Sequence, residues 1–587
     1  MHFKKLIFSV GIILILLLVL SGCGISEEKG RKPGPDWSKG LPLSTAVIGT
    51  VGMAIENNGE IVHLAWMETV LNDDPQLRYM QMDAQAQPVM EQTLALPHGR
   101  VRAPRLLLAN NNQLYLFWAL RPAGSSGWQL WQATLDDAGN LVDDPQRLST
   151  EEMNVGSYDV AQNFAGASFI VWEENQADQI VGMRVGAVET AQVLVESGES
   201  PHIQVDQSSN LHLTWQDGLE IYYAAFEDGD LETVPGTAVA EIRLSQSDSL
   251  AGPVIGVSDD WVYFLWSIFS YSGLEANTGQ TDFIAFPVGQ PQKLNPEKLL
   301  LFTLEDMPYV PITNSYNLTQ LAPPPPILVM SSNFVLEPST AAAQGNDLAA
   351  VVASMQTYSQ QSYVQMVSLL FRDGDLYGYQ MASRTQSFSS EGTIATDNAG
   401  HLYLTWHEGG SGNRLFYATT QPDAQAAIDQ LSLTDVIGVF LSGFLESLAG
   451  ILLFPLALLW FIPGVFLLGI VRFWRNDESM DMNPSPGWVT LILLFIALAL
   501  YYATKLSFLP TVLDYVPFSA WLDISLVWQN FLLVAVPIIL FGLAVLTAEW
   551  IRRKRVSTSV ILYFIIICLV DATLTLAVYG VSFMGAF

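Results

Sequence analysis

Four acids stand two residues after a tryptophan: Glu68, Glu174, Asp217 and Glu408 follow Trp66, Trp172, Trp215 and Trp406. If the tryptophan segments are structurally equivalent, these carboxylates come round to one level as a partial ring. Such a rim is a candidate for holding a cation or a polyhydroxylated ligand; a solvated acidic edge is the bland reading of the same residues. Glycoside hydrolysis would need two carboxylates with one of them raised in an apolar pocket. His63 and His212 precede their tryptophans by three residues, a slot filled elsewhere by Tyr115, Phe169, Tyr263 and Tyr403. A ring on the second face of a strand explains them better than metal ligation, and no His, Cys or Asp pair has metal-motif spacing. There is no Gly-rich phosphate loop and no nucleophile elbow. The expectation is therefore no catalytic residue, no metal and no cofactor. Asp571 stands apart: it lies in a long apolar run, where an acid points to helix pairing or function.

The elements that would position the rim are repeated. Asn57 to Glu68, Asn111 to Trp118, Gly166 to Glu174, Ser209 to Asp217, Asp260 to Trp266 and Ala399 to Glu408 each read as a polar turn followed by a period-two strand. Leu64, Leu116, Ile170, Leu213, Phe264 and Leu404 share a face with the tryptophans. A seventh, degenerate copy runs from Asp347 to Met355, with Met355 where tryptophan is expected. Pro104, Pro201 and Pro253 precede their tryptophans by a similar distance, where a strand can begin without an N–H. Asp-Gly turns after the next strand complete the order of a four-stranded blade. The expected fold is an all-β propeller of about seven blades. The stretch 267–345 reads as an insertion, either a loop over one mouth or a degenerate eighth blade, and Pro323 to Pro326 within it form a polyproline run.

Both ends of the chain point to a membrane. Of 587 residues 50% are hydrophobic and 14% charged, too apolar for disorder. A net charge of -31 disfavours nucleic acid. Lys4 and Lys5 precede an apolar run to Leu20, the layout of a secretory signal, or of an uncleaved signal anchor; either one exports the residues C-terminal to it. From about Leu431 four apolar spans are expected, near Ala449 to Val471, Trp488 to Ala503, Ser525 to Ala548 and Val556 to Val578. Leu433 to Leu448 reads as an interfacial lead-in helix. Arg472 and Arg475 follow the first span and Arg552, Arg553, Lys554 and Arg555 the third, against Lys505 after the second. That asymmetry puts the basic loops in the cytoplasm and the repeats outside.

Leu20-Ser21-Gly22-Cys23 resembles the lipobox of bacterial lipoproteins, which implies cleavage before Cys23 and lipidation of its sulfur. The repeats resemble the sialidase-like or BNR-like propellers of bacterial surface proteins, without the Asp-box those carry. Arg100, Arg102 and Arg105 around Pro104 resemble the Arg-x-Pro element of sialidases.

The domain order read from the sequence is signal peptide 1–22, linker 23–40, propeller 41–425, linker and interfacial helix 426–448, and a four-span membrane domain 449–587. The expected function is a binding or scaffolding module at the bacterial cytoplasmic membrane. Its partners would be membrane lipid and a protein or glycan ligand. A glycan hydrolase, or a sensor coupled to a membrane partner, is the alternative.

Overall fold

A computed structural model describes residue 33 and residues 36–301, 334–430, 450–509 and 526–584, apart from short stretches at 57–58, 71–73, 111, 187–190, 272–276, 343–344, 359–360, 386, 410–412, 476–479 and 484–485. Cys23 and the signal segment, Pro323 to Pro326 and the lead-in helix therefore lie outside the described residues. The chain divides near residue 430 into two compact units.

The first unit is a seven-bladed β-propeller. Seven four-stranded antiparallel sheets follow in chain order, and the last takes Leu41–Ser44 as its outer strand. That strand pairs with Arg414–Thr419, so the two ends of the unit close one blade. The inner strands are Val47–Glu56, Gly99–Leu108, Val155–Gln162, Glu199–Val205, Asp248–Val257, Val335–Ala342 and Ser389–Thr396; each touches the next round a closed ring. The second strands are Ile61–Glu68, Leu114–Pro122, Ser168–Glu174, Leu211–Asp217, Trp261–Ser270, Asp347–Tyr358 and Leu402–Glu408.

Alternation along the second strands explains the closure. Their tryptophans are at most 1% exposed and pack on the preceding blade: Trp118 against Ala54 and Tyr79, Trp266 against Ile221 and Tyr223. In the sixth blade the pairing register assigns the tryptophan slot to Val352, which packs toward the fifth blade, and not to Met355, which packs toward the seventh. A small β-branched residue fills the slot there, and Met355, three residues along, is the nearest large side chain on the strand.

Every inner strand slips register once near its start, at Ile48/Gly52, Arg102/Arg105, Val155/Tyr158, Glu199/His202, Ala251/Val254, Leu336/Ser339 and Ser390/Thr393. Gly49, Ala103, Ser200, Gly252, Glu337 and Glu391 take left-handed conformations in these bulges. Pro104, Pro201 and Pro253, expected to start strands, instead sit inside them, within the bulge and directly after its left-handed residue. An inner strand has a sheet neighbour on one side only, so a proline there forfeits no ladder bond. Within 267–345 lie the end of the fifth blade's second strand, its third and outer strands, Thr278–Pro287 and Glu297–Lys298, and the sixth blade's inner strand.

A short helix, α1 (Pro422–Ile428), follows the propeller, with the Gln421 side chain accepting the Ala424 N–H at its start. The second unit holds α2 (Phe454–Arg475), α3 (Trp488–Phe508), α4 (Leu526–Arg553) and α5 (Val560–Met584). All four are long and apolar enough to cross a membrane. α5 touches the other three. Small residues permit that approach: Ala457, Ala497, Ala544 and Ala572 are fully buried, and a Cβ on Gly464 would meet the Phe564 ring at 2.3 Å. α3 runs past Ala503 to Phe508, so Lys505 is part of the span and not of the loop after it.

Candidate functional site

The four rim acids end their second strands on one face of the propeller, the face at which the inner strands begin. Their surroundings differ. Glu408 is fully buried and accepts bonds from Trp406 Nε1 (2.6 Å), Ser389 Oγ (2.8 Å) and Thr385 Oγ1 (2.8 Å). Burial pushes its carboxyl above the usual range, against those hydrogen bonds. Glu174, 5% exposed, accepts the backbone N–H groups of Asn154 and Gln176 at 3.0 Å. Glu68 accepts Ser44 Oγ at 2.6 Å and lies 3.3 Å from Arg78 Nε. Each of these three holds the segment that crosses into its own blade. Asp217 is exposed.

The same face carries two acids that the tryptophan spacing does not reach. Glu337 and Glu391 occupy the bulges of the sixth and seventh inner strands with φ of 57° and 51°, a strained conformation for a residue with a Cβ. The Glu391 N–H donates to Glu337 Oε2 at 2.6 Å. Burial, and then the neighbouring Glu337, raise the Glu391 carboxyl, whose side chain is still 40% exposed. His407 Nδ1 stands 3.6 Å from Glu391 Oε2; burial lowers this imidazole to about 4, so it is neutral at pH 7.

The same face carries a row of aromatic rings from three successive blades. Tyr271 meets Phe269 at 4.6 Å between centroids, Phe269 meets Phe334 at 6.1 Å, and Phe334 meets Phe388 at 5.8 Å, each edge to face. The two outer rings are open, Tyr271 at 64% and Phe388 at 47% exposure. The backbone anchors both: Tyr271 N–H donates to Ser247 O, and Phe388 O accepts the Gly409 N–H. Phe334 precedes Glu337, and Phe388 precedes Glu391, by three residues. That repeated Phe-x-x-Glu at a strand start is the sequence sign of the site, hidden because neither phenylalanine belongs to the tryptophan strand.

The histidines take the ring slot of their strands. His63 Nδ1 lies 2.7 Å from Tyr79 Oη and His212 Nδ1 2.8 Å from Tyr223 Oη, while Tyr403 donates to Asp397 in the equivalent place. Among the described residues no three His, Cys, Asp or Glu converge as metal ligands. Arg102 serves the structure: its Nη2 donates to Val155 O and Gly156 O of the next blade, and its guanidinium lies 4.2 Å over the Trp128 ring. Arg100 is exposed.

In the second unit Asp571 is fully buried and paired. Lys505 Nζ donates to its Oδ2 at 2.6 Å, Tyr501 Oη to the same oxygen at 2.7 Å, and Tyr502 Oη to Oδ1 at 3.3 Å. Lys505, expected in the loop after the second span, is thus the partner of the buried acid of α5.

No protein-family model and no curated protein matches the chain. Among solved structures it is similar to the polysaccharide lyase Uly1, at 9% identity over 63% of this chain and 89% of that one, with a TM-score of 0.40. It is also similar to a protein of unknown function from Dyadobacter fermentans, at 9% identity over 66% and 99% of the two chains, TM-score 0.35. A third similarity is to a GH43_1 enzyme from Xanthomonas citri, at 11% identity over 44% and 94%, TM-score 0.29.

Proposed function

We propose that the propeller is the extracytoplasmic, membrane-anchored part of a binding module that takes an envelope glycan on the face where its inner strands begin. The observation that carries this reading is the row Tyr271, Phe269, Phe334 and Phe388 on the same face as Glu337 and Glu391. Sugar rings offer C–H faces to aromatic rings and hydroxyls to carboxylates, and this face carries both. Asp217, exposed on the same face, would reach such a ligand directly. Glu68, Glu174 and Glu408 would act through the crossovers they hold.

Export rests on the amino-terminal apolar run and on the charge asymmetry of the helices. With Lys505 inside α3, the sequence from Leu509 to Ser525 carries no basic residue, while Arg472, Arg475 and Arg552 to Arg555 stand at the other ends. Lipid on Cys23 would be a second anchor beside α2 to α5.

A second reading, hydrolysis, draws on the Glu337 and Glu391 pair, because a general acid needs a raised carboxyl, and burial together with the neighbouring Glu337 raises that of Glu391. Retention of the full-length, detergent-solubilised chain on immobilised envelope polysaccharide tests binding, with analysis of the eluate for shortened chains. Intact ligand with retention lost in Tyr271→Ala/Phe388→Ala supports the module. Shortened ligand, abolished by Glu391→Gln, would replace it with the hydrolase. Equal retention of wild type and the double variant would remove the aromatic row from the account.

A further inference from the structure

Lys505 lies three residues from the end of α3 at Phe508. A lysine so near a helix end ordinarily snorkels, laying its stem along the apolar surface and placing its ammonium at the interface. Here it does the opposite. Its side chain, 2% exposed, turns back along the helix as helical side chains lean, and Nζ donates to Asp571 Oδ2 at 2.6 Å and to Thr575 Oγ1 at 2.7 Å. The ammonium also lies 4.9 Å from the centroid of the Tyr502 ring.

Asp571 has no comparable escape. It stands eleven residues beyond Val560, roughly 16 Å of helical rise, near the middle of a hydrocarbon core about 30 Å thick. An aspartate side chain is too short to reach either surface from there. Tyr501 donates to Oδ2 and Tyr502 to Oδ1, and Tyr501 Oη also lies 3.4 Å from the Cys568 carbonyl. Toward the start of α5 the packing turns apolar, through Ile567, Phe564 and Val560 with Phe461, Leu494 and Ala497. The polar cluster is closed on that side, so the pair does not belong to a path through the bundle.

The geometry points to a one-sided lock: Lys505 is the intramembrane counter-charge that lets α5 remain across the bilayer, and α3 is held to α5 by the need of Asp571 rather than by any need of Lys505. The asymmetry is the distinctive consequence. Without the acid, Lys505 can rotate outward and reach the interface within its own length. Without the lysine, Asp571 stays in hydrocarbon with two phenols as its partners, and the balance between a spanning and an excluded α5 shifts on the order of 100-fold.

The test uses the full-length chain in sealed membrane vesicles, with a cysteine appended after Phe587 and labelled from each side by an impermeant thiol reagent. Wild type and Asp571→Leu are expected to label from one and the same side. Lys505→Leu is expected to lose at least half of that one-sided labelling, and Lys505→Leu/Asp571→Leu to regain it. Protein that disappears in Lys505→Leu but accumulates again in the double variant supports the lock equally. Three results would overturn it: Lys505→Leu behaving as wild type, Asp571→Leu being as damaging as Lys505→Leu, or the double variant failing to recover.

Discussion

Trp406 donates its indole N–H to Glu408 Oε1 at 2.6 Å, two residues along the same strand, so the residue that marks the repeat is tied to the acid that comes after it. The same carboxylate accepts Thr385 and Ser389 from the segment entering the seventh blade. Glu408→Ala strands three donors and is expected to lower stability by about 3 kcal/mol, read from urea unfolding. Retention of full stability by Glu408→Ala would show that water replaces the carboxylate at no cost.

Glu408→Gln separates charge from hydrogen bonding. Because burial raises the folded carboxyl above its ordinary 4.5, the contribution of this group is fully present below the pH where the unfolded side chain titrates and is lost as pH rises through the folded value. Wild type should therefore lose ground to Glu408→Gln as pH rises above the ordinary carboxyl value of 4.5. Parallel stability curves for the two proteins would contradict this assignment.

Asp159 carries the opposite sign. Burial would raise its carboxyl, but His202 at 3.0 Å, Arg105 and the Ile203 N–H at 3.1 Å together bring it below the ordinary 3.8. Its stabilisation is present above that value and is lost as pH falls through the lower, folded one. Asp159→Asn should flatten the acid limb of the unfolding midpoint and leave the neutral region lower by roughly 1–2 kcal/mol. An unchanged acid limb would mean that this latch between the third and fourth blades contributes nothing to acid unfolding.

Trp37 closes the ring from the amino-terminal side. It is fully buried beside Trp406 and Phe416, and the next residue, Ser38, donates its N–H to Thr419 O at 2.9 Å. Trp37→Ala should cost roughly 3–5 kcal/mol. Calorimetry that finds a smaller loss than for an exposed control such as Phe164→Ala would show that closure does not depend on Trp37.

Seven blades were legible because burial on one face forces large residues into a fixed slot, and six of the seven slots hold tryptophan. The sixth was displaced because Val352 is small and the chain offers Met355 close by. The bulges were illegible for a different reason: Ala103, Ser200, Glu337 and Glu391 have ordinary side chains, and only tertiary closure puts them in left-handed conformations. Carboxylates placed two after a tryptophan could be found by counting, yet counting cannot tell Asp217, which is exposed, from Glu408, whose lone pairs are taken up inside the blade. Lys505 reads as a loop charge until Asp571 supplies the reason for a cation inside a span.

The most direct test of the glycan-binding face is thermal unfolding of the solubilised full-length chain with and without saturating envelope polysaccharide fragments. At a hundred times the dissociation constant a ligand adds about 2.7 kcal/mol, so the propeller transition should move upward in wild type and stay put in Tyr271→Ala/Phe388→Ala. An upward shift of the same size in the double variant, or none in wild type with any fragment, would contradict the assignment.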